Sequence, residues 1–452
     1  MTSKHSTCHF FYKYFEKKTK YDIIIIRMEM KLMALHLPKY KKRTIDHALT
    51  KYLRPKYIYI PLMNAGDKNI TVLVQKGDYV YKGSVVARRK NPFKIPLLSS
   101  VSGTVVGFEE HLCYSGEMIK CIKIENDFKE TTENNCKNEK IDNYSKKDFI
   151  ELIKECGIIG MGGSGFPTFV KYDTRKKLHT LIVNAVECEP YITADHEIVV
   201  NHVEEILEAI DAMLEINNIE KCYIALKRTN QELIDIINSH LGTYLKINIH
   251  LVDDVYPIGW ERMLVSEITH EEYKVIPSEI GVVVNNISTV YAIYEALKYN
   301  RGLTERIVTF TGDMLKAPQN IIVKVGTPVK EVIDAIEGYK RNKDITFIAG
   351  GPMMGTSLIS DDLIVTANLN CVLVTKKNRD EESLPCIHCG KCVEACPTKL
   401  SPVLIKDNLN NPATLKKLQI EKCIECGLCS YICPSGLNIR ECVKLAKSKA
   451  RG

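Results

Sequence analysis

The sequence predicts a multidomain α/β protein, on the strength of three observations. Residues 148–300 alternate helix-period stretches with apolar runs, which is typical of a mostly parallel sheet. Residues 57–125 are short strand-like runs punctuated by glycine, and eight of the 17 cysteines form one C-terminal block. At roughly 100 to 150 residues per domain, a chain of 452 residues has room for about three or four domains.

Positive charge is concentrated at the N-terminus. The chain has a net charge of +7, of which residues 1–56 contribute +10, leaving the remainder at −3. This near-neutral body argues against a nucleic-acid groove, so no nucleic-acid partner is expected. The cysteines outside the C-terminal block are scattered singles without a disulfide framework, which indicates a reducing compartment and hence the cytoplasm.

Residues 1–33 are predicted to be a basic leader. Met28, Met30 and Met33 are alternative initiators, so we favour a leader that precedes the true start of translation over one that touches an anionic membrane surface. The apolar run at residues 23–26 is too short to cross a membrane and is not flanked like a signal peptide. A soluble or peripheral protein is therefore expected.

Residues 34–126 are predicted to form a barrel-sandwich domain. The runs VQKGDYVYKG and SSVSGTVVGFE both join strand ends through glycine turns, a design that resembles biotinyl and lipoyl carrier domains. A carrier needs a lysine at its hairpin tip, whereas residues 99–103 read SSVSG, so a structural role is expected. The polar residues 127–147 are predicted to be a linker.

The stretch GIIGMGGSGFPTFVK at residues 157–171 places Gly160, Gly162 and Gly165 at the G-x-G-x-x-G spacing of a Rossmann domain. Its flanks do not fit, because a helical pattern precedes the glycines and Pro167 interrupts the helix that should follow. No Gly-Lys-Ser/Thr follows, which excludes a Walker A loop. The loop is predicted to join helical segments, where it makes a tight turn or wraps a phosphate or flat ring with its amides.

The remaining elements follow in order. Strands are predicted at residues 180–186, 221–226 and 281–287, and helices at residues 197–214 and 230–241. Residues 301–375 give strands around a single helix, a small α+β unit, and residues 376–385 are predicted to be a second linker.

The C-terminal block contains the pattern C-x-x-C-x-x-C-x-x-x-C-P twice. This is the spacing of a two-cluster bacterial ferredoxin, in which three close thiolates hold one 4Fe-4S cluster and the fourth ligates the other. Zinc is the alternative, although zinc sites are typically two C-x-x-C pairs separated by a longer span. The predicted ligand sets are Cys386, Cys389, Cys392 and Cys433 for one cluster, and Cys423, Cys426, Cys429 and Cys396 for the other. Such clusters carry single electrons, so a flavin that converts a hydride into single electrons is expected at the glycine loop.

Three further segments carry a family resemblance. Together with the cysteine motifs, GMGGSGFPTFVK, LIVNAVECEPYITADH and GVVVNNISTVYAIYEAL resemble the RnfC proteins of Rnf electron-transport complexes. Their core is similar to the FMN-bearing, NADH-oxidising subunit of respiratory complex I. The resemblance covers about residues 34–445. It implies a barrel-sandwich domain, a flavoprotein domain at residues 148–300, an SLBB-type β-grasp domain at residues 301–375 and a two-cluster ferredoxin domain at residues 386–445.

The resemblance also implies the residues that hold FMN. Lys171 would place a cation beside the flavin or the nicotinamide nucleotide, and Asn184 would contact the edge of the flavin ring. Asn285 and Asn286 would lie near the FMN phosphate, although a turn would explain an isolated pair. The glycines that lie against FMN in the family correspond to Gly160, Gly162, Gly163 and Gly165.

Other residues are implied for NADH. Glu187 and Glu189 alternate along an extended segment and so share one side, with Glu187 near the flavin and Glu189 near NADH. Carboxylates suit ribose hydroxyls and disfavour a 2′-phosphate, which favours NADH over NADPH. Phe166 resembles an aromatic that stacks on the nucleotide, with a core phenylalanine as the alternative. Gly259 and Glu261 match the family's Gly-x-Glu segment.

The resemblance implies an electron-transfer protein that works between NADH, FMN, two clusters and membrane partner subunits, with ferredoxin:NAD oxidoreduction coupled to ion transport. It would sit peripherally on the cytoplasmic side of the cell membrane. No catalytic Ser/His/Asp arrangement is present, and hydride transfer to a flavin requires none. Trp260 replaces a usual glycine and supports an alternative, an electron relay for a soluble reductase such as proline reductase without a working NADH site. A zinc-stabilised scaffold is a third possibility.

Overall fold

The computed structural model describes residues 35–63, 67–90, 93–133, 141, 144–341, 344–377 and 383–451. The predicted leader lies outside these residues, as do parts of both predicted linkers. The chain divides into two compact units, which we call the large unit (residues 36–380) and the cysteine unit (residues 381–452). Each unit is described by itself.

The large unit begins with a segment that does not join the strands closest to it in sequence. Helix α1 (Lys42–Ile45) leads to strand β1 (Thr50–Tyr52), which pairs in parallel with a strand some 270 residues later, Thr50 opposite Ile321. We call residues 36–45 the N-terminal strap. It is bound to the central part of the large unit, because Tyr191 N donates to Lys39 O (2.8 Å).

Two antiparallel sheets pack face to face as the predicted barrel sandwich. Their strands are β2 (Tyr57–Pro61), β3 (Ile70–Val72), β4 (Tyr79–Val80), β5 (Val85–Arg89), β6 (Pro96–Leu98), β7 (Gly103–Leu112) and β8 (Met118–Asn126). One sheet has the order β2-β8-β7-β4 and the other β3-β5-β6. Alternate apolar residues of both sheets fill the space between them, among them Ile58, Val86, Val105 and Ile122.

The SSVSG tip of this domain is buried rather than displayed. Ser99, Ser100 and Ser102 are all 0% exposed, and the Ser100 hydroxyl donates to Val325 O. A swinging carrier arm needs an exposed tip, so this geometry agrees with the expected structural role. The tip instead packs against the sheet that contains Val325's neighbour, Lys324.

A buried charge network lies at this junction. The Lys324 ammonium is 1% exposed and lies 2.8 Å from Glu130 Oε2 and 3.2 Å from Glu305 Oε1. Lys82, from the barrel sandwich, pairs with the same two carboxylates. Burial raises the pKa of Glu305, but the charges of Lys82 and Lys324 outweigh it, so this pKa lies below its ordinary value. Burial also raises the pKa of Glu130, and hydrogen bonds from the same two lysines again bring it below its ordinary value.

We expect the large unit to lose stability in acid because of this network. A carboxylate with a lowered pKa stabilises the fold above its unfolded pKa of about 4.5, and this contribution disappears as the pH falls through the folded pKa. Urea unfolding followed by the fluorescence of Trp260, the chain's only tryptophan, measures the effect between pH 7 and pH 3. The Glu130→Gln/Glu305→Gln variant should show a shallower decline below pH 5, and an unchanged decline would contradict the assignment.

The centre of the large unit is a four-stranded parallel sheet with the order β11-β10-β9-β12. Two helices precede it, α2 (Lys146–Glu155) and α3 (Phe169–Tyr172). The sheet and its crossover helices then follow in chain order: β9 (Thr180–Asn184), α4 (Ala194–Ile216), β10 (Lys221–Lys227), α5 (Gln231–Leu241), β11 (Ile247–Val252), α6 (Glu261–Thr269), β12 (Val282–Asn286) and α7 (Ile287–Tyr299). The predicted strands and helices of this region are confirmed, whereas β11 and α6 were not predicted.

A mixed sheet completes the large unit. It contains β13 (Glu305–Thr311), β14 (Gln319–Lys324), β15 (Ile345–Ala349), β16 (Thr356–Leu358) and β17 (Cys371–Lys376), with helix α8 (Val329–Ala335) between β14 and β15. The order is β1-β14-β13-β17-β15-β16, so β1 forms one edge. Val329, Val332 and Ile333 of α8 pack on Val308 and Phe310 of β13. The predicted arrangement of strands around one helix is confirmed, while the SLBB assignment stays a prediction.

The cysteine unit is small and helical. Its helices are α9 (Lys391–Glu394), α10 (Pro402–Asp407), α11 (Pro412–Lys417), α12 (Leu428–Tyr431) and α13 (Ile439–Arg451). Ile405, Leu415, Ile439, Val443 and Ala446 form its apolar core. Among the helices of the described chain, none combines the length and apolar character needed to cross a membrane.

Candidate flavin and iron-sulfur sites

The predicted flavin residues meet at one crevice of the parallel sheet. From β9 the chain proceeds through β10 to β11 on one side, and then returns to place β12 on the other side of β9. Asn184 ends β9 and Asn286 ends β12, and these two residues lie directly opposite each other. Ligands of open parallel sheets bind at the carboxyl ends of the strands where the order reverses in this way.

The glycine loop lies against this crevice. A β-carbon added to Gly162 would lie 3.2 Å from Asn286 Nδ2, so the loop approaches the end of β12 with bare backbone. Two hydrogen bonds close the loop, Gly160 N to Phe166 O (2.8 Å) and Gly165 N to Gly160 O (3.0 Å). Gly163 has φ +106°, a conformation that strains other residues.

The loop also presents free donors. Within the part of the chain that the structure describes, the N–H groups of Gly162, Gly163 and Ser164 donate no hydrogen bond to the protein, and all three residues are exposed. Adjacent free N–H groups in a glycine loop make a concave anion site. The residues present therefore fit the phosphate of FMN.

Contacts from three other elements hold the loop in place. Met161 N donates to Thr289 Oγ1 of α7 (3.0 Å), and Arg306 of β13 donates to Met161 O (3.3 Å). Asn368 Nδ2 donates to Gly163 O (3.3 Å). A loop fixed on several sides loses little entropy when it binds a ligand.

The three predicted asparagines have different surroundings. Asn184 Nδ2 donates to Gly259 O (2.7 Å), and its Oδ1 accepts from Val186 N (3.1 Å). Asn285 is 2% exposed and donates to the Tyr172 hydroxyl inside the core. Asn286 remains at the crevice, where its Oδ1 caps α7 by accepting from Ser288 N (3.0 Å). The structure therefore brings Asn184 and Asn286 to the crevice and leaves Asn285 among buried residues.

Glu187 and Glu189 do not share one side of an extended segment, as the alternation suggested. Glu187 has φ +45°, so the backbone turns between them. Glu187 Oε2 pairs with Lys41 Nζ (2.9 Å) and its Oε1 accepts from Asp195 N (2.8 Å). Glu189 Oε2 instead accepts from Met353 N (3.2 Å), beside Gly351 of the mixed sheet's loop.

The structure joins Lys171 to Glu261. Lys171 Nζ lies 2.9 Å from Glu261 Oε2 and donates to Val284 O (2.7 Å), which places its charge next to the end of β12. Gly259, two residues earlier, packs on Cys188, since an added β-carbon would lie 3.1 Å from Cys188 Sγ. Phe166 makes an edge-on contact with Phe93, with ring centroids 6.0 Å apart.

Two charged residues at the crevice were not predicted. Asp195 accepts from Asn286 Nδ2 (2.6 Å) and from the Ser288 hydroxyl (2.6 Å), so it fixes the amide that faces the glycine loop. Desolvation and the charge of Glu187 raise the pKa of Asp195 to about 6. Burial lowers the pKa of Arg306 to about 10, opposed by the charge of Asp195. An acidic residue in the first turn of a helix was the only sequence signal for Asp195, and none existed for Arg306.

The two cysteine motifs have the same backbone. His388 (φ +51°) and Glu425 (φ +55°) occupy equivalent positions, as do Gly390 and Gly427, both with φ +81°. A short helix follows each glycine, α9 in one repeat and α12 in the other. The sequence repeat is therefore a structural repeat, as a two-cluster ferredoxin requires.

One predicted ligand set surrounds a single cavity. Its lining includes one cysteine from the first repeat and three from the second: Cys396, Cys423, Cys426 and Cys429. Leu400 N donates to Cys396 Sγ (3.3 Å) and Glu425 N to Cys423 Sγ (3.3 Å), the kind of N–H to sulfur bond that tunes iron-sulfur clusters. Burial raises the pKa of the free Cys429 thiol to about 12, and the neighbouring sulfurs add to the shift. The donor set fits a 4Fe-4S cluster.

The other set is brought together by the backbone. Leu384 N donates to Ser435 O (3.0 Å), and the Ser435 hydroxyl donates to Pro385 O (3.1 Å). These bonds hold the residues just before Cys386 beside those just after Cys433. Burial raises the pKa of Cys392, and the charges of Cys389 and Cys386 raise it further, so these three sulfurs are neighbours.

Comparisons with known proteins identify three domains. Residues 153–295 match the Nuo51 FMN-binding domain, which contains the glycine loop and the crevice. Residues 33–129 match the RnfC barrel sandwich hybrid domain, and residues 385–437 match a 4Fe-4S dicluster domain. The predicted fold class and cofactors are thereby confirmed, and the dicluster match argues against a zinc scaffold.

Several curated proteins are similar over most of the chain, and each is named as the RnfC-type component of a complex. The one from the Na⁺-translocating ferredoxin:NAD⁺ oxidoreductase complex of Acetobacterium woodii is 31% identical, over 83% of this chain and 86% of the relative. The proton-translocating counterpart from Clostridium ljungdahlii is 31% identical, over 82% of each chain. The corresponding component of an ion-translocating oxidoreductase complex from Rhodobacter capsulatus is 30% identical, over 82% of this chain and 73% of the relative.

Among solved structures, an NAD⁺-reducing NiFe hydrogenase in the H₂-reduced state matches with a TM-score of 0.48 and 16% identity, over 69% of this chain. This chain spans 61% of the hydrogenase chain, less than two thirds of its length. The full-length relatives carry the identification. With an FMN-binding domain around the crevice, a dicluster domain around both cysteine repeats and relatives alike over four-fifths of its length, the chain belongs to the RnfC family and is an oxidoreductase subunit.

Proposed function

We propose that this chain passes electrons between NADH and the membrane subunits of an Rnf-type complex, through FMN at the crevice and two 4Fe-4S clusters in the cysteine unit. The reaction would be ferredoxin:NAD⁺ oxidoreduction coupled to ion transport, as two of the relatives are named. The observation that carries the proposal is the set of free N–H groups on the glycine loop, held against Asn286 where the strand order reverses.

FMN, when bound, supplies the conversion of a two-electron hydride into single-electron steps. In our proposal the Gly162, Gly163 and Ser164 N–H groups bind its phosphate. Lys171 is kept at the end of β12 by Glu261 and Val284 O, where its charge favours an anionic ring. Asp195 holds the Asn286 amide in one orientation and so acts as a positioning residue.

Glu189 is our candidate for NADH binding. Its Oε2 accepts from Met353 N (3.2 Å), which fixes the carboxylate at the loop that contains Gly351. A carboxylate in a fixed position accepts hydrogen bonds from ribose hydroxyls and repels a 2′-phosphate. We therefore propose that Glu189 selects NADH over NADPH.

The proposed partners are the membrane subunits of the complex, which would hold the chain peripherally on the cytoplasmic side. The relatives are named as subunits of translocating complexes, which supports membrane partners. The cysteine unit exposes Leu384 (63%), Ile387 (67%) and Tyr431 (51%) next to its cluster cysteines. Exposed apolar residues close to a cluster suit a surface that docks and exchanges electrons.

An anaerobic absorbance titration with NADH tests the proposal. We expect stepwise NADH to bleach the flavin band first and the clusters afterwards in protein reconstituted with FMN, iron and sulfide. The Glu189→Gln variant should need at least about tenfold more NADH, since an ionic hydrogen bond contributes roughly 1.5 to 3 kcal/mol. Glu271→Gln, an exposed carboxylate elsewhere in the large unit, is the matched control and should titrate like the parent protein.

A relay without a working NADH site is the second candidate function, and Trp260 favours it. Its indole Nε1 lies 3.2 Å from Met354 Sδ, so the ring bridges the start of α6 to the loop at residues 350–355. Bleaching by dithionite but not by NADH would support the relay. Recovery of NADH bleaching in Trp260→Gly would then show that the indole closes the site.

A further inference from the structure

A cavity of about 550 Å³ lies on the side of β9 away from the flavin crevice. Its walls are the N-terminal strap, residues 185–187 after β9, and residues 227–233 at the end of β10 and the start of α5. No residue of the glycine loop lines it. Its volume is within the range of about 300 to 1,000 Å³ that is usual for small-molecule sites.

The lining of this cavity is cationic. Lys41 pairs with Glu187, and Lys227 shares Asp254 with Lys39. Lys42 and Arg43 have no ion-pair partner among the described residues. Five cations therefore face two lining carboxylates, Glu187 and Glu232. The cations are Lys39, Lys41, Lys42, Arg43 and Lys227.

Two of the cations are held close together without an anion between them. Burial lowers the pKa of Lys227, and the positive charge of Lys41 lowers it further. Like charges that crowd each other in a partly desolvated place are stabilised when an anion binds between them. The strap that carries Lys41 is fixed, because the Thr44 and Thr193 hydroxyls are hydrogen-bonded (2.6 Å) and His36 Nδ1 contacts Asp254 O (2.8 Å).

An aromatic side chain lies beside these charges. One face of the Tyr40 ring stacks on Tyr191, with centroids 4.7 Å apart and planes 14° apart. Tyr40 is nevertheless 49% exposed and lines the cavity. A half-exposed ring that its neighbour holds in one orientation is suited to stacking on a flat base.

We infer that this cavity binds a nucleoside polyphosphate, with its phosphates against Lys41, Lys42 and Arg43 and its base on Tyr40. The site is separate from the flavin crevice and does not depend on how the chain uses NADH. The two sites touch only through Glu187, which lines the cavity and whose other carboxylate oxygen accepts from Asp195 N at the crevice.

Isothermal titration calorimetry of the full chain with ADP tests this inference, in low salt and with saturating NAD⁺ present to occupy the proposed NADH site. We expect ADP to bind under these conditions. Lys42→Gln/Arg43→Gln should weaken the binding at least about tenfold, because it removes two charged hydrogen-bond donors. Lys51→Gln, an exposed lysine on β1, is the matched control and should bind ADP like the parent protein.

Inorganic pyrophosphate is the second probe, and it should bind more weakly than ADP because it cannot stack on Tyr40. Equal affinity for both probes would overturn the assignment of a nucleotide. Absence of ADP binding, or equal weakening by Lys51→Gln, would overturn the site itself. The NADH titration of Lys42→Gln/Arg43→Gln is expected to match that of the parent, which keeps the failure of this inference distinct from failure of the proposed function.

Discussion

Replacing Cys396 by alanine is expected to remove one of the two clusters and to leave the other. Cys396 lines the same cavity as Cys423, Cys426 and Cys429, although it belongs to the other repeat in sequence. Without its thiolate, the cluster there loses one of four ligands, and iron content should fall from about eight to about four atoms per chain. Iron analysis and low-temperature electron paramagnetic resonance of the reduced protein measure this.

Pairs of substitutions test the crossed ligand sets directly. Cys396→Ala/Cys426→Ala should still hold about four iron atoms, because both changes affect one cluster, whereas Cys396→Ala/Cys389→Ala should hold almost none. The control is Cys442→Ala, a cysteine of the same unit outside both motifs, and it should retain all the iron. Retention of one cluster by Cys396→Ala/Cys389→Ala would show that the sets are not crossed.

Replacing Lys41 by methionine is expected to lower the free energy of unfolding by about 3 kcal/mol. The side chains of Lys41 and Glu187 are only 16% and 9% exposed, so the substitution leaves a carboxylate buried without its counter-charge. Removal of one partner from a buried pair costs more than removal of both. The double variant Lys41→Met/Glu187→Gln should therefore recover more than half of the loss.

Urea unfolding followed by the fluorescence of Trp260 measures this effect, since the tryptophan lies in the large unit. Lys154→Met is the control, because Lys154 pairs with Glu151 on the surface, where that carboxylate side chain is 61% exposed. A surface pair contributes at most about 1 kcal/mol. If Lys41→Met and Lys154→Met were equally mild, the pair between Lys41 and Glu187 would not stabilise the fold.

Local patterns in the sequence predicted much of the fold. The glycine loop lies between helices, as its flanks indicated, and β9, β10 and β12 lie where the apolar runs placed them. The cysteine repeats needed only their spacing. Each of these signals is contained in a short stretch of sequence, so its meaning does not depend on what packs against it.

Elements whose burial depends on distant partners were harder to predict. Strand β11 alternates buried and half-exposed residues at the edge of its sheet, which weakens its apolar run. Helix α6 has nine residues, of which only Leu264 and Val265 are buried. Both elements are short and half-exposed, so neither has a strong period of its own.

The site shows the same division. The pairing of Lys171 with Glu261 joins residues 90 apart in the chain, and no local pattern encodes it. The left-handed backbone at Glu187 is equally invisible, because alternation of residue types describes an extended chain only. Asn285 and Asn286 look equivalent in sequence, but one amide is taken by the Tyr172 hydroxyl in the core.

The pairing of β1 with β14 sets an order of events during synthesis. Thr50 lies opposite Ile321, so β1 leaves the ribosome long before its partner strand exists. At about 5 to 20 residues per second, this interval is on the order of tens of seconds. The N-terminal strap precedes β1, and its contacts reach Asp254 and Thr193, which also emerge much later. The first residues of the large unit are therefore among the last to find their places, and the nascent chain carries them unpaired until the rest of the unit has formed.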